Sequence, residues 1–118
     1  MLDEIIKKLK EIDPRVEYGF CHKEDLVGTW DCLVVRKENL ARKSNSRTLY
    51  VSVRIVREER IPEGLEEKVI RAMREIGWKE SEGSAQYEYA ADLEETAIEV
   101  CRIDFYKSKK TCGDVKWL

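Results

Sequence analysis

Residues 49–78 read LYVSVRIVREERIPEGLEEKVIRAMREIGW, and the apolar period changes within them. Leu49, Val51, Val53 and Ile55 alternate with Tyr50, Ser52 and Arg54, the period of a strand with one buried face. Leu65, Val69, Ala72, Met73 and Ile76 then recur at helical spacing. Pro62 fits a first helical turn, where its missing N–H costs nothing, so the helix is predicted over residues 61–76. Glu63, Glu66 and Glu67 lie early, Arg71 and Arg74 late, as the helix dipole favours. Gly77 suits the left-handed residue that closes a helix.

Upstream, Leu2, Ile5, Ile6, Leu9 and Ile12 mark an amphipathic helix that Pro14 stops by Asp13. Val16, Tyr18 and Phe20 alternate with Glu17 and Gly19 as a short strand, and residues 21–28 read as a loop. Residues 30–36 (WDCLVVR) form a strand whose run Leu33-Val34-Val35 implies cover on both faces. Residues 37–47 (KENLARKSNSR) read as a connection, and the strands on either side of it pair as a hairpin. Downstream, Ala85, Tyr87 and Tyr89 alternate, residues 92–95 turn, and residues 96–106 (TAIEVCRIDFY) make a long strand. Its apolar phase shifts near Val100, from a β-bulge or from burial of both faces. A basic tail from Lys107 ends on Val115, Trp117 and Leu118. The element order is α-β-β-β-α-β-β, an α+β domain spanning residues 1–118.

The chain has 118 residues, enough to bury a core without staples. It is 39% charged and 42% apolar, with a net charge of −2 that exerts no global pull on nucleic acid or membrane. No apolar run approaches the roughly 18 residues of a membrane span, and the charged first helix lacks a signal peptide's apolar core. A reducing cytoplasm and free thiols at Cys21, Cys32, Cys101 and Cys112 are therefore expected. Cys32 and Cys101 sit in apolar strands, where a thiol packs as a small hydrophobe.

Little in the chain resembles a catalytic motif. His22 stands beside Cys21, but no CxxC or HxxxH spacing seeds a metal site. GxSxG and a Gly-rich phosphate loop are missing, and Glu58-Glu59, Glu66-Glu67 and Glu94-Glu95 read as solvated pairs. Neither a catalytic residue nor a cofactor is expected. Charge layout says more. Arg36, Lys37, Arg42, Lys43 and Arg47 are five bases against one acid, Glu38, in residues 36–47. Residues 80–99 hold seven acids, Glu88, Asp92, Glu94 and Glu95 among them, and no base. Two solvated surfaces of opposite sign would account for this. So would a self-complementary molecule, in which the basic segment of one copy meets the acidic hairpin of the next, with Trp117 and Leu118 adding apolar contact. The basic segment lacks the interleaved aromatics of a nucleic-acid groove.

From Leu49 to Tyr106 the chain resembles the tail terminator, or tail completion, proteins of long-tailed bacteriophages and prophages. The resemblance lies in LYVSVRIVREE, the passage into IPEGLEEKVIRAMREIGW, the tyrosine-bearing QYEYAADLEETAIEVCRIDFY, and the leading helix LDEIIKKLKEI. It implies a mostly antiparallel sheet with two helices packed on one face. It further implies a structural protein whose copies form a ring, typically a hexamer, that caps the tail tube and offers a surface to the head–tail connector protein. The implied location is the virion tail, and the host bacterial cytoplasm during assembly. Neither a membrane nor a specific nucleic acid is an expected partner. The competing reading is a small intracellular binding module for a peptide or nucleic acid.

Overall fold

The computed structural model describes residues 2–20, 29–43, 46–83 and 85–110. Its elements are α1 (Leu2–Leu9), β1 (Val16–Tyr18), β2 (Cys32–Lys43), β3 (Ser46–Glu58), α2 (Leu65–Glu75), β4 (Lys79–Glu80), β5 (Gln86–Ala91) and β6 (Ala97–Lys110). The chain folds as an α+β protein with a six-stranded sheet, in which the β1–β2 pair is parallel and every other pairing antiparallel. The sheet order is β1-β2-β3-β6, and β6 carries β4 and β5 along its far side, at opposite ends.

The odd-numbered residues of β3 and β6 face the helices. Val51, Val53, Ile55, Cys101, Ile103 and Phe105 are fully buried there, against Ile5, Leu9, Val69 and Met73. The alternating residues of β3 and the stripe of α2 are buried except at Ile76, which is only partly so, and in the first helix Ile5 and Leu9 are buried while Leu2, Ile6 and Ile12 are partly so. β2 packs on both sides at its start, as its apolar run requires. Leu33 and Val35 join the main core, whereas Cys32 and Val34 form a second cluster with Val56 and Ile98 on the opposite face. That second cluster also explains the phase shift in β6. Its register with β3 runs unbroken from Ser46↔Lys110 to Glu58↔Ile98, so no bulge interrupts it. Ile98 and Val100 serve the second cluster; Cys101, Ile103 and Phe105 serve the first.

Several boundaries differ from expectation. α2 begins at Leu65, because Gly64 is left-handed (φ 87°) and cannot continue a helix backwards. Pro62 instead opens a turn closed by Leu65 N–H to its carbonyl at 3.3 Å, while Glu99 fixes Ile61 N–H at 2.7 Å. At the other end Trp78 N–H reaches the Met73 carbonyl at 3.0 Å and Gly77 N–H the Arg74 carbonyl at 3.0 Å, with Gly77 at φ 88°. This is the double bond of a Schellman close, and buried Trp78 supplies its apolar contact to Met73. The first strand stops at Tyr18, since Gly19 turns away at φ 87° and leaves Phe20 exposed. β4 has only two residues, too few to show a period.

The largest correction concerns residues 37–47. Residues 37–43 and 46–47 are not a connection but strand: β2 continues to Lys43, and β3 starts at Ser46. A register shift between Lys37 and Asn39 lets β2 continue along β3 to the pair Lys43↔Ser46. With β6 alongside, the result is a three-stranded end that runs on past Leu49, the last β3 residue of the helix-side core. No helix among the described residues is long and apolar enough to cross a membrane.

Candidate interaction surfaces

Three surfaces carry most of the side chains that the core leaves unused. The first is the basic end. Arg42 lies directly opposite Arg47, and Lys43 opposite Ser46, with Lys109 beside Arg47 on β6. Like charges facing each other across strands destabilise a sheet. Among the described residues no carboxylate comes within salt-bridge distance of Arg42, Lys43 or Arg47. Arg36 and Lys37, grouped with these three by sequence, sit further down the strand. Arg36 faces Ser52 on the helix-free face and Lys37 lies on the sheet margin opposite Val51.

The second surface is that helix-free face. Arg54 and Arg102 also oppose each other. Here the repulsion is answered within the chain: Glu38 lies 3.9 Å from Arg54 and 3.5 Å from Arg102, and Asp104 binds Arg102 at 2.9 Å. Burial first, then Arg36 and Arg102, lower the Arg54 guanidinium from its ordinary value. The hydrogen bond to Asp104 raises that of Arg102. Ser52 joins them, donating to Glu38 at 2.9 Å and accepting from Arg54 at 3.0 Å. Beyond this network the Tyr50 and Tyr106 rings meet at a tilt of 39°, 6.2 Å between centroids, beside a shallow concavity of about 340 Å³ that Asn39, Ser81 and Asp104 help to line.

The third surface is β5 and the turn after it. Every residue of β5 is exposed. Tyr87 and Tyr89 lie in the helix-side phase, opposite Cys101 and Glu99, and Glu88 lies opposite Val100 in the other. Tyr87 donates its hydroxyl to Glu66 on α2, and that bond holds the phenol well above its ordinary value. Burial pushes the neighbouring Cys101 thiol up to about 11. Asp92, expected at the interface, also has a role within the chain. Its carboxylate accepts Trp30 Nε1–H at 2.9 Å, Glu94 N–H at 2.9 Å and Thr96 N–H at 2.8 Å, so it organises the turn and ties it to the second apolar cluster. Glu94 and Glu95 are exposed on that turn, Glu95 in the left-handed region at φ 62°. Leu93, just before them, is fully exposed.

The basic and acidic groups therefore do not adjoin. Residues 42–43 and 46–47 are level with residues 109–110 of β6, whereas β5 lies along residues 97–102. Trp117, Leu118, Cys21 and His22 lie outside the described residues. Sequence reasoning missed the exposed Leu40, because residues 37–47 read as a connection rather than strand. It also missed the bare margins of the sheet, which depend on strand order. No group of His, Cys, Asp and Glu side chains that could hold a metal occurs among the described residues. No protein-family model matches the chain, and no curated protein is significantly similar to it.

Proposed function

We propose that the chain is a structural tail-assembly protein of a bacteriophage or prophage, whose copies form a ring that caps the tail tube and presents a surface to the head–tail connector. The role is non-catalytic and needs no cofactor. One observation carries the reading: unanswered bases occupy one end of the sheet, and exposed acids the opposite margin and end. Within one copy the two groups cannot meet. Copies placed head to tail can, and such a contact closes into a ring when the rotation between neighbours permits. Exposed ion pairs contribute little each, roughly 0–1 kcal/mol, so charge sets register and rate while apolar contact from residues such as Leu40 and Tyr89 sets strength.

Negative-stain microscopy of the protein mixed with isolated tail tubes tests this. Rings at one end of the tubes, and arrest of further tube growth, are the expected result. Tubes that stay bare and continue to lengthen at saturating protein would refute the proposal.

A further inference from the structure

Among the described residues the sheet has two bare backbone margins, and they differ in charge. β1 covers β2 only at Leu33, Val34 and Val35, and Gly19 N–H adds one bond to the Val35 carbonyl at 2.9 Å. Along residues 37–43 the outer margin of β2 pairs with no strand among the described residues. β5 is bonded to β6 through one margin, and its other margin is likewise bare among the described residues. Such margins are rows of amides and carbonyls ready to bind another strand. Lys37, Arg42 and Lys43 mark the first; Glu88, with Glu94 and Glu95 just beyond it, marks the second. Two basic margins repel one another, as do two acidic ones. Only the unlike pair attracts.

The side-chain phases agree as well. Leu40 shares the helix-side face with its partner Leu49, and Tyr87 and Tyr89 share that face with their partners on β6. Leu40 is 39% exposed, Tyr87 47% and Tyr89 73%. Lys43 and Glu88 both take the opposite phase. Setting the two margins together thus brings Leu40 toward the tyrosines on the helix-side face, which also carries Lys37 and Arg42, and Lys43 toward Glu88 on the other.

We infer that residues 37–43 of one copy add to β5 of the next, so that a second copy of this chain extends the sheet. The inference rests on the ring reading above and names its subunit contact. The pairing is antiparallel. β2, β3, β6 and β5 reverse in turn, so β5 runs against β2 within one copy, and a ring that keeps the strands' sense relative to its axis preserves that opposition. The margins are offset by eight residues of β6, from the middle of residues 97–102 to the middle of residues 105–110, or about 26 Å. Strands in a closed ring are therefore steeply inclined to its axis, as in any sheared barrel. The Arg42–Arg47 opposition also gains a purpose: it is relieved only when the acidic margin of a neighbour arrives.

Two full-length variants test the contact. Arg42→Glu/Lys43→Glu/Arg47→Glu makes both margins acidic, and Glu88→Lys/Glu94→Lys/Glu95→Lys makes both basic. Asp92 is left intact because it holds the turn. Thermal melts establish that each variant is folded. Sedimentation velocity at low salt should then show each variant self-associating roughly tenfold or more weakly than the parent. An equimolar mixture should recover association, in alternating copies. Hydrogen exchange on the parent should show the amides of residues 37–43 and 86–91 gaining protection on assembly. The contact is overturned if the variants associate like the parent, if the mixture does not recover, or if those amides exchange alike in monomer and oligomer. It is overturned also by a parent that stays monomeric both at high concentration and on tail tubes. Tube capping is scored separately. Association through these margins without capping sinks the tail reading and keeps the contact; capping by the variants at parental efficiency does the reverse.

Discussion

Asp92 binds three donors at once, from Trp30, Glu94 and Thr96, and nothing about its neighbours in sequence distinguishes it from the acids around it. Asp92→Ala should lose these bonds and cost about 1–3 kcal/mol in urea denaturation. Glu94→Ala, on the same turn, should cost much less, because its side chain is exposed. Cys101 offers a second test at this scale. Its thiol is fully buried, and its ordinary value of 9.0 is pushed up to about 11 by burial. The native state thus keeps its proton where the unfolded chain releases it, and stability falls as pH rises from about 9 to about 11. Tyr87, raised by its bond to Glu66, acts in the same direction above pH 10. Urea midpoints should drop across this window in the parent. The drop should be smaller in Cys101→Ala, apart from that variant's lower stability at every pH.

Among the elements, α2 was the most fully legible. Its stripe, its charge bias and the Gly77 close are all local in origin, and only its start was displaced, by the left-handed Gly64. Val69→Asp places an unpaired charge at a fully buried site and should abolish cooperative folding by circular dichroism. Arg71→Asp, on the exposed face of the same helix, should leave it within about 0.5 kcal/mol. A cooperatively melting Val69→Asp chain would mean that the helix presents another face to the sheet. The β2–β3 arm was the least legible element. Residues 37–43 are mostly polar and exposed, with only Leu40 and Ala41 apolar and on opposite faces, so no alternation betrays the strand. Pairing with β3 is what makes them one.

For the whole molecule, the decisive property is the separation of charge across a chain 53 Å long. Self-association should weaken as salt is raised, since exposed charges further apart than about 8–10 Å are screened at physiological ionic strength. Sedimentation at two salt concentrations checks this, and an oligomer indifferent to salt would show that apolar contact alone guides assembly. Glu38, the one acid among the bases of residues 36–47, serves the monomer instead: it answers Arg54 and Arg102 across the sheet.

The α+β class, the two helices, the long hairpin and nearly all of the core follow from the sequence alone. Burial of one face prints its period on consecutive residues, and that signal survives without any knowledge of partners. The face-switching of β6 was ambiguous in sequence, because a bulge and a second buried cluster shift the period identically; the unbroken register with β3 and the cluster of Cys32, Val34, Val56 and Ile98 decided between them. The split of the acidic run was beyond sequence altogether. Asp92 and Glu99 turn inward to hold backbone and indole donors that are distant in the chain, while Glu88 and Glu95 remain on the surface. The bare margins of β2 and β5 likewise exist only once strand order is set, because whether an amide is already paired depends on residues remote from it in sequence.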